Sequence, residues 1–147
     1  MHNIISKLPY QDPFLFVEEI ESIDENGVVG YYTFRKDEYF YQGHFPGNPL
    51  TPGVILTEVA AQIGLVSLGI YLKNSSNVSG VMPVFSSANV DFLKPVYPGE
   101  RVIVKSEKEY FRFSKLKCRF EMTNDNGEMI CKGNLSGMIT ERSVDAA

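Results

Sequence analysis

The spacing of hydrophobic positions changes once along the chain. From Val54 to Leu72 nearly every residue is apolar or small, and Glu58 is the one charge among them. This predicts a helix from about Pro52 to Lys73, apolar on every side and therefore buried on every side. Thr51 reads as its N-cap and Pro52 as its first helical residue, where a missing N–H costs nothing. Downstream the period becomes two, predicting strands over Val81 to Phe92, Arg101 to Tyr110, Lys115 to Thr123 and Met129 to Thr140. Pro98-Gly99, Arg112 to Ser114 and Asn124-Asp125-Asn126-Gly127 separate them. Upstream, Phe14 to Ile23 and Val28 to Arg35 are strand-like, and Asp24-Glu25-Asn26-Gly27 closes them into a hairpin. Residues 3–15 form a short helix or turn ending at Pro9 and Pro13, and Lys36 to Tyr41 is aromatic-rich. Asn74 to Gly80 reads as a flexible connection, and Glu141 to Ala147 as a frayed tail.

About six strands and one all-round apolar helix allow few architectures. An antiparallel sheet curled around a single central helix satisfies the count, an α+β arrangement. The 147 residues suit one domain, 1–147. One sheet cannot enclose a helix of this length completely, and a second copy is the simplest cover, so a homodimer is expected, with further assembly open.

Composition removes several alternatives. Leu50 to Leu72 is long enough to span a membrane, but Glu58 and Gln62 lie inside it, prolines and a glycine break its start, and no basic cluster flanks it. Met1 to Gln11 lacks the basic start and apolar run of a secretory leader, so a cytoplasmic protein is expected. Cys118 and Cys131 make no disulfide framework or metal site of known spacing. If Asn126-Gly127 is a two-residue turn, Cys118 faces Leu135 and Cys131 faces Met122, too far apart for a bridge. The net charge of −4 argues against general nucleic-acid binding. Lys94 to Arg119 is nevertheless net +5 and the remainder −9, which suggests an acidic partner met on one face, or simply the solvated side of a sheet.

The candidate chemistry lies around the start of the predicted helix. His44 precedes Glu58 by fourteen residues, across a loop stiffened by Pro46, Pro49 and Pro52 that can fold an imidazole back towards a carboxylate. Each residue alone has an ordinary explanation. Together, with Glu58 among Ile55, Leu56, Val59 and Ile63, they indicate a site.

Gly43-His44-Phe45-Pro46-Gly47, then Pro52-Gly53-Val54, Glu58 and Gln62, resemble the 3-hydroxyacyl-(acyl-carrier-protein) dehydratases of hot-dog fold. Leu8-Pro9…Pro13-Phe14-Leu15 and Lys94-Pro95-Val96…Pro98-Gly99-Glu100 extend the resemblance over roughly Leu8 to Ile139. It implies a hot-dog fold, a dimer, an acyl carrier protein as acidic partner, and no metal or organic cofactor. It implies His44 as the base that removes an α-proton and Glu58 as the acid that protonates the departing hydroxyl. The Gly53 N–H would hold the thioester carbonyl, Gln62 would orient the carboxyl, and Phe45 and Val54 would flank the substrate. Histidine suits a base near neutral pH, an apolar setting raises a carboxyl's pKa, and a helix N-terminus favours developing negative charge. Lys94 and Arg101 are the candidate carrier-docking residues. The chain departs from the family at Tyr10-Gln11, where many members have His-Arg, and at Phe92-Leu93-Lys94, which is less basic. It has Pro83-Val84-Phe85 where relatives often carry a gating tyrosine. A hot-dog thioesterase, needing no histidine, and a non-catalytic acyl-binding subunit are the alternatives. Isomerising relatives usually have Asp at the position of Glu58.

Overall fold

A computed structural model of the chain describes residues 2–73 and 81–141. The expected connection Asn74 to Gly80 lies outside them, as does the tail beyond Glu141. After a short helix α1 (His2–Lys7), the strands are β1 (Glu19–Asp24), β2 (Gly27–Thr33), β3 (Val81–Phe92), β4 (Arg101–Arg112), β5 (Lys115–Thr123) and β6 (Met129–Glu141). They form one antiparallel sheet in the order β1-β2-β4-β5-β6-β3. The helix α2 (Gly53–Lys73) lies against its inner face.

Alternation decides which residues meet that helix. Val102, Val104, Leu116, Cys118, Phe120 and Met122 point inward and are fully buried with Val59, Ile63 and Leu68 of α2. The outward positions carry charges of alternating sign across four strands, Lys105 opposite Glu121, Glu121 opposite Lys132, and Lys132 opposite Asp91. Arg119 Nη2 is 2.8 Å from Glu107 Oε2 on the same surface. That part of the basic segment is a solvated cross-strand ladder. Although α2 is long and apolar enough to cross a membrane, 78% of its apolar window is buried inside this fold, as befits a core helix.

The strand boundaries of β3 and β5 agree with the alternation, and Cys118 faces Leu135 and Cys131 faces Met122. Both thiols are free and buried. The turn, however, is not the two-residue type. Asn124 N donates to Glu128 O, Gly127 takes the left-handed conformation at φ +79°, and a register shift at Met122/Thr123 absorbs the third loop residue. The first hairpin does turn over two residues, with Asp24 Oδ1 accepting from Asn26 N and Gly27 N.

Three other expectations change. β1 begins at Glu19 and not at Phe14, because the chain from Phe14 to Phe16 bonds instead to a helix side chain: Phe16 N donates to Gln62 Oε1, and Gln62 Nε2 donates to Phe14 O. Thr51 does not cap α2. Its hydroxyl pairs with Tyr41 Oη at 2.6 Å, and Pro52 occupies the cap position, its carbonyl accepting from Ile55 N and Leu56 N. Nor is α2 covered all round: Val54 is 77% exposed, and Thr57 and Glu58 are only half-buried. Midway, residues Gln62–Val66 form a π-helical turn, where Ser67 Oγ donates to Gln62 O and Ser106 Oγ of β4 to Gly64 O.

Candidate active site

The loop before α2 is folded by its own backbone. Phe45 and Asn48 exchange two hydrogen bonds around Gly47, whose φ of +72° favours glycine, and Leu50 N donates to His44 O. The Leu50 carbonyl in turn accepts from His44 Nδ1 at 2.7 Å. A carbonyl cannot donate, so the neutral ring carries its hydrogen on Nδ1 and presents Nε2 as a bare lone pair. The ring stacks on Phe45, with centroids 4.0 Å apart. Thr51 N donates to Val96 O and anchors the far end of the loop. The near end follows a 3-10 turn, Tyr39–Gln42, beside buried Glu38. That carboxylate accepts from Tyr32 Oη and Arg35 N, while Arg35 also pairs with Asp12 at 3.0 Å.

No side chain caps the first turn of α2, so the Gly53 N–H is left without a partner among the described residues. A Cβ at Gly53 would lie 3.3 Å from the Phe92 ring, a tight contact that glycine avoids. Phe45, Val54 and Phe92 are all largely exposed apolar side chains.

Glu58 lies in the second turn and opens into a cavity of about 210 Å³ lined by Tyr10, Phe14, Ala61, Leu65, Val66, Pro83, Val84 and Phe85. Burial pushes its carboxyl above the usual carboxylate range, and the hydrogen bond from Gln62 opposes that shift. Gln62 is fully buried and spends its whole amide: Nε2 donates to Glu58 Oε2 at 2.9 Å and to Phe14 O, and Oε1 accepts from Phe16 N.

Within one chain, then, Glu58 and Gln62 are brought together, whereas His44 does not line the Glu58 cavity. Lys94 and Arg101 converge on one loop, Lys94 Nζ 3.5 Å from Glu128 and Arg101 Nε 3.8 Å from Asp125, with the Arg101 guanidinium over the Tyr31 ring. Among the described residues no cluster of His, Cys, Asp or Glu has the makings of a metal site. Tyr10 is a cavity residue that no local sequence pattern marks as functional. Its one sequence signal is the departure of Tyr10-Gln11 from the pattern of the family that the chain resembles.

Known proteins resemble the chain in the same terms. A family model described as ApeI-like, ApeI dehydratase, matches residues 20–134. The 3-hydroxyacyl-(acyl-carrier-protein) dehydratase FabZ of Caldicellulosiruptor saccharolyticus is 34% identical over 139 residues, covering 90% of this chain and 93% of that protein. The protein of that name from Acinetobacter baylyi is 39% identical over 101 residues, covering 68% of each. In structure, the dehydratase heterocomplex ApeI:P of Xenorhabdus doucetiae superimposes with a TM-score of 0.78 at 14% identity, over 92% of this chain and 90% of that one. A hypothetical thioesterase of Streptococcus pneumoniae superimposes with a TM-score of 0.63 at 20% identity, over 97% and 96%. At those identities the two structures speak to the hot-dog fold alone.

Proposed function

The chain belongs to the 3-hydroxyacyl-(acyl-carrier-protein) dehydratases, and from that premise we propose that His44 and Glu58 eliminate water in a site shared between two copies of it. The function is dehydration of 3-hydroxyacyl thioesters carried on acyl carrier protein to trans-2-enoyl thioesters, a lyase reaction of fatty-acid-type or related polyene or polyketide biosynthesis. The thioester oxygen is held by the unpartnered Gly53 N–H at the positive end of α2, between the apolar flanks of Phe45 and Val54. His44 Nε2 removes a proton from C2. The electron pair forms the C2–C3 double bond, the C3–O bond breaks, and the hydroxyl leaves as water with the proton of Glu58. His44 then releases its proton and Glu58 regains one.

The observation that carries this reading is the position of Glu58. It is the one carboxyl in an apolar-walled cavity, held by Gln62, on a half-buried side of α2 that β3 and the N-terminal segment cover only in part. His44 does not line that cavity, which supports drawing it from a second copy. β3 is an edge strand with a partner on one side only, and Met82, Val84, Phe85 and Phe92 are exposed along it. Pairing two such edges about a two-fold axis would cover them and the half-buried side of α2 together. Lys94 and Arg101, on the surface beyond, meet the acidic carrier. The buried, unpaired thiols of Cys118 and Cys131 suit a reducing cytoplasm.

The test is product identification with 3-hydroxyacyl carrier-protein substrates, following enoyl absorbance beside free-thiol release. Enoyl product is expected. His44→Ala and Glu58→Gln should each lower the rate by about two to four orders of magnitude without unfolding the protein. Thiol release without enoyl product would make the protein a thioesterase, and near-normal turnover in either folded variant would reject these residues.

A further inference from the structure

The Glu58 cavity has a second polar group that the mechanism so far leaves idle. Of its nine lining residues, Phe14, Ala61, Leu65, Val66, Pro83, Val84 and Phe85 are apolar, leaving Glu58 and Tyr10 as the only polar side chains. Tyr10 is half-buried, its ring tilted 49° against Phe14 with centroids 6.4 Å apart. Its hydroxyl has no hydrogen-bond partner among the described residues, and neither has Glu58 Oε1, since Gln62 occupies only Oε2. Buried phenols usually find a partner, because an unpaired one forfeits its hydration. Both groups line the same cavity of about 210 Å³ and neither spends its outer oxygen on the protein, so both can bond a polar atom that enters it.

We infer that Tyr10 is a further catalytic residue, whose phenol donates a hydrogen bond to the 3-hydroxyl oxygen of the substrate while Glu58 protonates that oxygen. The inference rests on the dehydratase reading of Glu58 and adds a second donor to it. As the C3–O bond breaks, the oxygen collects the electron pair. The proton of Glu58 completes the water, and the Tyr10 hydroxyl, keeping its own proton, lowers the charge on the oxygen during departure. Tyr10 is fitted to be such a donor. Burial, and next the Glu58 carboxylate whenever it is ionised, push its phenol above the usual range, so it stays protonated in either state of Glu58. The apolar remainder of the cavity receives the acyl carbons that follow C3.

The experiment compares wild type, Tyr10→Phe and Glu58→Gln. Each is tested for binding of two pantetheine amides that do not turn over, a 3-hydroxyacyl amide and its 3-deoxy counterpart, and for turnover of the 3-hydroxyacyl thioester. Tyr10→Phe keeps the ring that packs on Phe14 and removes only the oxygen. Wild type should favour the hydroxylated amide. Tyr10→Phe should narrow that preference by about 3- to 10-fold, the worth of one hydrogen bond, while binding the 3-deoxy amide as wild type does, and its kcat should fall about 10- to 100-fold, the worth of a bond to a developing charge. A purely structural role would weaken both amides alike and leave their ratio unchanged. If Tyr10→Phe keeps the preference, the contact to the hydroxyl is overturned, whatever its kcat. If Glu58→Gln is inactive while Tyr10→Phe equals wild type, the Tyr10 inference falls and the dehydratase site stands. If Glu58→Gln turns over normally, the reading of the site beneath it falls first.

Discussion

Two neighbours pull the Glu58 carboxyl in opposite directions. Burial raises its pKa and the Gln62 amide lowers it, with burial the stronger. The protonated form is the one that donates, so dehydration should decline as pH rises through that raised value. Gln62→Leu removes the opposing hydrogen bond, and the descending limb of its pH–rate profile should move to higher pH. The same substitution strands Phe16 N and Phe14 O, at about 1–3 kcal/mol for each buried group. That corresponds to a fall in Tm on the order of 10 °C. A limb that stays in place while Tm drops would leave Gln62 a purely structural residue. Stability follows the same linkage. A carboxyl whose folded pKa is raised contributes fully below the ordinary carboxyl range, and that contribution is lost as pH rises through its folded value. Glu58→Gln should therefore gain on wild type in Tm between acid and neutral pH, and a constant difference would contradict the raised value. At this scale His44 and Glu58 were legible as exceptions, a histidine among prolines and a charge in an apolar run. Tyr10 was not, because a tyrosine near the N-terminus breaks no local pattern, and only the fold lays it against Glu58.

Strand ends and hairpin tips were readable to within a residue or two, because period-two alternation and Gly-containing turns act locally. The β4–β5 tip, with Phe113 and Ser114 both at positive φ and Phe113 94% exposed, turns over two residues between Arg112 and Lys115. The segment from Phe14 to Glu18 alternates like a strand, but Phe16 N and Phe14 O are bonded by Gln62, 46 positions from Phe16. Local pattern cannot see that far. The π-helical turn was equally hidden, since a register change inside a uniformly apolar helix leaves every residue apolar. Its packing is nevertheless tight. A Cβ at Gly64 would stand 2.9 Å from Ser106 Cβ on β4 and crowd the hydroxyl that bonds the Gly64 carbonyl. Gly64→Ala should destabilise the fold by about 1–3 kcal/mol. A denaturant midpoint unchanged from wild type would mean that the helix moves off the sheet freely.

At the scale of the whole molecule the sequence pointed to a cover for α2; the sheet has two edges, β1 and β3, and β3 is the one that carries exposed Met82, Val84, Phe85 and Phe92. The shared site has a direct test. Inactive His44→Ala and Glu58→Gln chains, unfolded and refolded together, should recover roughly a quarter of wild-type activity, because half the dimers are mixed and each mixed dimer holds one intact site. Background activity in mixed dimers confirmed by mass would place both residues in one chain. Docking of the carrier belongs to the same scale. Charge reversal at Lys94 or Arg101 should weaken turnover of carrier-bound substrates more than of small thioesters, and added salt should narrow the gap. Equal loss on both substrates would point to the fold instead. Each cation already faces an acid of the loop after β5, Glu128 for Lys94 and Asp125 for Arg101. The reversals should thus also repel that loop, and a carrier must compete with it for the contact.

The bare edge of β3 has a further consequence, which concerns quantity and not geometry. If each site draws His44 from one chain and Glu58 from another, an isolated chain has no complete site. Well below the dissociation constant of the pair, activity should then rise with the square of chain concentration, by mass action. Above it the rise should become linear. A cell that made too little of this protein would lose the reaction faster than it lost the polypeptide.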